Sequence, residues 1–154
     1  YASLPGVGAD DRYQRIDAKV IKAFTYQSYT LLASARFGSY INSEIPAYDQ
    51  FSLGGFLNLS GYQKDQLWGQ QAGLGRLVAY WRASQSMIGN FYLGGSFEAG
   101  NVWQRNENAA FNDLLFAGSV FIGYDTPLGP LYVAVGTAEG GHTTLYVYLG
   151  RVFY

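Results

Sequence analysis

The sequence predicts an all-β fold, an antiparallel transmembrane β-barrel, on three observations. Two-residue alternation of apolar and polar side chains recurs in segments of about nine to fifteen residues, separated by polar or Gly/Pro turns, while helix-period stripes are scarce. Aromatic residues make up 18% of the 154-residue chain and glycine supplies 20 positions, whereas Asp, Glu, Lys and Arg together reach only 14%, against about 25% in soluble domains. No window approaches the roughly 18 to 20 consecutive apolar residues of a membrane-spanning helix, so a chain of this kind that crosses a bilayer crosses it with strands. Nothing divides the sequence, and residues 1–154 form one predicted domain. It begins with Tyr1 in what reads as the tail of a loop, so we expect a piece of a longer protein.

Eight strands are predicted, at residues 13–26, 29–40, 48–59, 69–83, 90–103, 113–124, 130–136 and 143–153. The first sets Ile16, Ala18, Val20 and Phe24 against Arg15, Asp17 and Lys19, and Lys22 breaks its pattern, as a side chain expected to snorkel near an interface. In the second, Tyr29, Leu31, Ala33, Ala35 and Phe37 alternate with Thr30, Leu32, Ser34 and Arg36. The fourth sets Leu77, Ala79, Trp81 and Ala83 against Arg76, Val78, Tyr80 and Arg82. The fifth is the clearest: Phe91, Leu93, Phe97 and Ala99 share one face, and Tyr92, Gly94, Ser96, Glu98 and Gly100 the other. In the sixth, Leu114, Phe116, Val120, Ile122 and Tyr124 oppose Leu115, Ala117, Ser119, Phe121 and Gly123. A soluble barrel also alternates, with its apolar face inward. Aromatic residues at strand ends (Tyr26, Tyr29, Tyr40, Tyr92, Trp103, Tyr124, Tyr154) and arginines on the polar face favour the version with lipid outside and water inside.

The connections at 84–89 and 125–129 are short and those at 60–68 and 104–112 longer and polar, the asymmetry expected of periplasmic turns and outer loops. Two connections break it: the tight Gln27–Ser28 hairpin falls on the outer side, and the long 41–47 segment on the other. Within 125–130, Pro127 fixes φ and Gly129 supplies freedom, which makes Asp-Thr-Pro-Leu-Gly-Pro a turn.

Three motifs in one order resemble the carboxy-terminal barrel of the BamA/TamA (bacterial surface antigen) superfamily, over essentially the whole chain from about Tyr13. Phe51-Ser-Leu-Gly-Gly-Phe-Leu-Asn-Leu-Ser-Gly-Tyr62 looks like the family's strand and inward-folding loop, which ends in an Arg-Gly-Tyr or Arg-Gly-Phe tip. Phe97-Glu-Ala-Gly-Asn-Val-Trp103 is similar to its Phe-x-Asp-x-Gly-x-Val-Trp strand. Gly123-Tyr-Asp-Thr-Pro-Leu-Gly-Pro-Leu131 resembles its Thr-Pro-Leu-Gly-Pro turn, and Leu149, Gly150, Arg151 and Phe153 resemble the terminal strand signal read by the barrel assembly machinery. The resemblance implies the second half of a sixteen-strand barrel. Two residues depart from it: Ser60 stands where the family has the loop Arg, and Glu98 where it has Asp, so the family's loop-to-wall ion pair cannot form in the same way. Leu-Ser-Gly-Tyr, followed by Gln66-Leu-Trp-Gly69 and Arg76-Leu-Val-Ala-Tyr-Trp-Arg82, resembles the patatin-like autotransporter (PlpD-type) branch, in which a secreted lipase domain precedes the barrel.

The candidate site residues are the loop motif Leu59, Ser60, Gly61 and Tyr62, and Glu98 with Arg76 and Arg82 on the facing strand. Glu98 is either half of a lumenal ion pair that fixes register and holds the loop, or a solvated lumen charge. Gly54, Gly55 and Gly61 would permit close approach of loop to wall. His142, the one histidine, has no ligand-spaced partners and is expected as a solvated loop residue. No nucleophile elbow is present and no second histidine could act as base, so no catalytic residue, metal or cofactor is assigned. Absent cysteine excludes disulfides, thiolate metal sites and a thiol nucleophile, and a net charge of -1 gives no case for nucleic acid.

The expected function is an outer-membrane barrel that anchors and helps translocate or insert protein across the bacterial outer membrane. Its expected partners are the bilayer, the assembly machinery during insertion, an attached passenger domain, and a second copy or missing half-barrel against edges that lipid cannot satisfy. The alternative is a small eight-stranded anchor or narrow pore, since eight strands can close alone.

Overall fold

A computed structural model describes residues 14–41, 50–86, 89–104 and 111–150. The described chain is all-β, with one 3-10 turn at Phe111–Asp113 and no α-helix. Its strands are β1 (Gln14–Tyr26), β2 (Tyr29–Ile41), β3 (Phe51–Leu53), β4 (Leu67–Gly69), β5 (Gln71–Ser86), β6 (Gly89–Trp103), β7 (Leu115–Thr126), β8 (Gly129–Ala138) and β9 (His142–Leu149). Seven form one antiparallel sheet in the order β1-β2-β5-β6-β7-β8-β9, which is not closed, so β1 and β9 are its edges. The remaining two, β3 and β4, make a separate ribbon.

Eight strands are expected in one sheet, and the described residues supply seven. The expected strand at 48–59 is the error. Phe51, Leu53, Leu57 and Leu59 are all buried, but of this segment residues 48–49 lie outside the described residues and the backbone is a strand only over Phe51–Leu53. Positive φ at Gly54 (123°), Gly55 (113°), Leu57 (60°) and Leu59 (67°) folds the segment back across the sheet, and β2 pairs directly with β5 instead.

Removing that strand from the sheet shifts the parity of every connection before it. The turns after β1, β5 and β7 now share one end of the sheet, and each leaves only two residues between strands. The connections β2 to β5, β6 to β7 and β8 to β9 share the other end. Both exceptions to the short-turn, long-loop asymmetry disappear. At the β7–β8 turn, Thr126 Oγ1 donates to the Gly129 carbonyl (2.6 Å) and accepts from the Leu128 N–H (3.2 Å), so a side chain supplies the bonds that the reversing backbone cannot.

The registers place the alternating residues on two faces. One face carries Val20, Phe24, Leu31, Leu77, Trp81, Leu93, Phe97, Val120, Ile122, Val133, Leu145 and Val147, all exposed. Aromatic pairs tie neighbouring strands along it, with Phe97 on Phe116 (6.0 Å between centroids) and Phe91 on Tyr124 (6.1 Å); each such pair contributes about 0.2–1 kcal/mol. The opposite face holds the core. One cluster there joins Phe51, Leu53, Leu59 and Tyr62 to Ala72, Leu74, Ala117 and Ala138, and the other joins Leu57 to Leu32, Val78, Phe121, Tyr132 and Ala134. Both lie between the folded-back segment and the sheet. We call the covered face inner and the apolar face outer.

Candidate functional site

The segment from Gly54 to Gln66 enters from the end of the sheet that bears the longer connections and lays its tip on the inner face. Leu57, Leu59 and Ser60 are fully buried there. Two leucines with left-handed backbone are locally unfavourable, by about 1–3 kcal/mol each, so the surroundings must hold the tip in place.

They do so by satisfying its backbone. On β6, Glu98 is fully buried: its Oε2 accepts the Ser60 N–H (2.7 Å) and its Oε1 accepts the Ser60 hydroxyl (2.7 Å). Ser60 Oγ accepts in turn from the Leu57 N–H (3.0 Å), closing the turn on itself. The Ser96 hydroxyl donates to Glu98 Oε1. Because that hydroxyl has one proton, the 2.7 Å contact between Ser96 and Ser119 is donated by Ser119. A carboxylate that only accepts thus gathers three donors, and bonds to a charged acceptor contribute about 1.5–3 kcal/mol each. Across the ladder in register with Glu98, Arg76 donates from Nη1 to the Leu57 carbonyl (2.8 Å) and from Nε to Ser34 Oγ (2.8 Å). Anion and cation therefore grip opposite poles of the same turn.

The other side of the tip rests on β8 and β9. The Tyr146 hydroxyl accepts the Gly61 N–H (2.9 Å) and donates to the Tyr62 carbonyl (2.6 Å), while Thr144 Oγ1 donates to the Gly61 carbonyl (2.6 Å). A Cβ on Gly61, whose φ is +111°, would lie 2.5 Å from the Ala138 nitrogen, and one on Gly136 would lie 2.6 Å from Ser60 Cβ. Loop and strand meet backbone to backbone, which only glycine on both sides allows. Phe56 fills the space below among Phe121 (5.5 Å), Tyr146 (5.9 Å) and Tyr132 (6.4 Å). Tyr62 stacks on His142 with centroids 4.6 Å apart. Burial, and then the nearby Glu139 carboxylate, hold the Tyr62 phenol above its ordinary pKa, so it stays protonated and donates to the Glu139 carbonyl (3.4 Å).

The structure brings together Leu59, Ser60, Gly61, Tyr62, Glu98 and Arg76. It does not bring Arg82, which is exposed, pairs with Tyr92 and lies six residues along β5, about 20 Å away. The ion pair considered for Glu98 is not formed: among the described residues no salt bridge within 4.0 Å joins it to Arg76 or Arg82. Nor is Glu98 a solvated charge, since Ser60 occupies it. The described inner-face ion pairs are instead Arg36 with Asp17 (2.7 Å) and Arg15 with Asp17 (3.4 Å). His142 is exposed yet ring-stacked. Of the terminal signal, Leu149 ends β9 on the outer face and Gly150 donates its N–H to the Pro130 carbonyl (2.8 Å); Arg151 and Phe153 lie outside the described residues. Sequence reasoning missed Leu57, Ser96, Ser119, Thr144 and Tyr146. The serines carried a signal, two hydroxyls on the polar face beside an acid; Thr144 and Tyr146 carried none.

The arrangement is a clamp of hydrogen bonds and packed side chains on a folded-back loop. No family model matches the chain, and no curated protein matches it at a significant level.

Proposed function

We propose that this chain is part of the wall of a bacterial outer-membrane β-barrel of the BamA/TamA type, which anchors an attached passenger domain and helps translocate or insert protein across that membrane. The observation that carries the reading is the outer face. Exposed large apolar side chains cover it across all seven strands, whereas the largest apolar patch on a soluble monomer covers about 300–600 Å². Lipid is the solvent that removes this cost.

Three further features support the reading. Two-residue turns gather at one end and longer connections at the other, as at periplasmic and outer surfaces. Among the described residues the edges β1 and β9 present unpaired backbone that hydrocarbon cannot satisfy, so further strands complete the wall, from a missing half-barrel or a second copy. Leu149, Gly150, Arg151 and Phe153 would be read by the barrel assembly machinery during insertion. The reading assigns no cofactor, catalytic residue or nucleic-acid contact; any patatin-like lipase activity would belong to a preceding domain.

A second reading, a structural anchor without translocation, draws on the same loop, because the tip fills the inner face rather than leaving it open. Gly61→Val separates the two. In a protein carrying a reporter domain ahead of the wall, it is expected to lower surface display of the reporter at equal membrane level, measured by antibody access on intact cells. Display unchanged at equal membrane level would leave only the anchor.

A further inference from the structure

Lys22 is the residue that the alternation of β1 does not explain, and the structure puts it on the outer face opposite Ala33. Among the described residues it is the only charged side chain on that face, and it makes no ion pair within 4.0 Å. Its Nζ lies 4.9 Å from the Phe24 ring centroid, so the side chain leans along β1 toward the short-turn end. Beside it a furrow crosses β1, β2, β5 and β6. One part, of about 440 Å³, is lined by Val20, Lys22, Ala33, Leu77 and Phe97. The other, of about 470 Å³, continues toward the turns beside Phe24, Tyr26, Tyr29 and Trp81.

We infer that this furrow binds an anionic phospholipid, its acyl chain lying between the outer-face side chains and its phosphate accepting a hydrogen bond from Lys22. The inference rests on the membrane reading proposed above. An ammonium facing hydrocarbon without a counter-charge is strongly unfavourable, and the described residues supply no such charge nearby. Lys22 stands four residues before Tyr26, about 13 Å along the strand and less along the normal of a tilted strand. With its lean toward the turns, the amine approaches the headgroup level of one leaflet, where a phosphate can meet it. A lipid with net negative charge neutralises the lysine; a zwitterionic one brings its own cation into the same apolar surroundings.

Trp81 lines the furrow and reports on its occupant. The full-length protein is reconstituted in phosphatidylcholine bilayers with a low, fixed fraction of brominated phosphatidylglycerol or brominated phosphatidylcholine. Quenching of Trp81 is taken as the difference from Trp81→Phe. The anionic lipid is expected to associate about three to five times more strongly than the zwitterionic one, the scale of one lysine against an anionic lipid. Lys22→Arg is expected to keep the preference and Lys22→Gln to abolish it, with quenching by the zwitterionic lipid unchanged. Equal quenching by both lipids in the unsubstituted protein, or a preference that survives in Lys22→Gln, would overturn the site and leave the membrane reading standing. Quenching by neither lipid would remove the membrane reading, and the site with it.

Discussion

Glu98→Ala is expected to release the loop tip from the inner face. Truncation removes the shared acceptor of the Ser60 N–H, the Ser60 hydroxyl and the Ser96 hydroxyl, all in a place closed to water, since Ser60 and Glu98 are fully buried. A buried donor left without a partner costs about 1–3 kcal/mol. The hydroxyls can re-aim, but the Ser60 N–H cannot, and the left-handed Leu57 and Leu59 lose the contacts that hold them. The expected loss is about 3–4 kcal/mol of loop attachment, seen as a fall of about a hundred- to a thousandfold in hydrogen-exchange protection of amides 57–62. Glu98→Gln is expected to lie between, because its NH2 group must face either the Ser60 N–H or the two hydroxyls. Protection of amides 57–62 unchanged in Glu98→Ala would mean that packing alone holds the tip.

Gly136→Val is expected to have an effect of similar size through sterics. Gly136 has no positive φ, so the strand itself accepts valine. The obstacle is the loop: an added Cβ would lie 2.6 Å from Ser60 Cβ and 2.7 Å from the Gly61 nitrogen. Either the tip lifts, losing Glu98 and Tyr146 together, or β8 moves away from it. Overpacking of this kind costs about 1–3 kcal/mol before any lost hydrogen bonds are added. Gly75→Val is the control, since a Cβ there meets only the Ala99 carbonyl at 3.8 Å. Hydrogen exchange is expected to show loss of protection at 57–62 in Gly136→Val, with β8 still protected, and neither change in Gly75→Val.

The sheet was legible because its two faces differ at every residue, one covered by the folded-back segment and the other exposed and apolar. β6, with Phe97 opposite Glu98 in direction, shows the period in any window. The segment at 48–59 defeated the same reasoning, because Phe51, Leu53, Leu57 and Leu59 meet a core on one side with the spacing of a strand. Burial continues there beyond the three extended residues of β3. The Gly54-Gly55 pair was the local sign of reversal, and the family-like Leu-Ser-Gly-Tyr motif pointed to a loop; neither reveals that left-handed leucines carry the turn.

The site was half legible. Glu98 stood out as an acid on the polar face, and register alone paired it with Arg76. Which partner it chose was not, because the decisive donors are a main-chain N–H and a hydroxyl brought from 38 residues away. Arg82 illustrates the limit. It shares a strand and a face with Arg76, yet only Arg76 lies beneath the Leu57 carbonyl.

The most direct test of a lipid-facing wall is a nitroxide scan along β7, Leu115–Thr126. These 154 residues contain no cysteine, so each single substitution among them carries one label once any cysteine elsewhere in the full-length protein is replaced by serine. In the full-length protein in bilayers, contact with dissolved oxygen is expected to peak at Phe116, Gly118, Val120, Ile122 and Tyr124 while contact with a water-soluble nickel chelate is lowest there. The intervening positions, Ala117, Ser119 and Phe121, are expected to be shielded from oxygen by the loop and the inner-face core. High chelate contact at Val120 and Ile122, with no two-residue period in oxygen contact, would contradict a membrane wall.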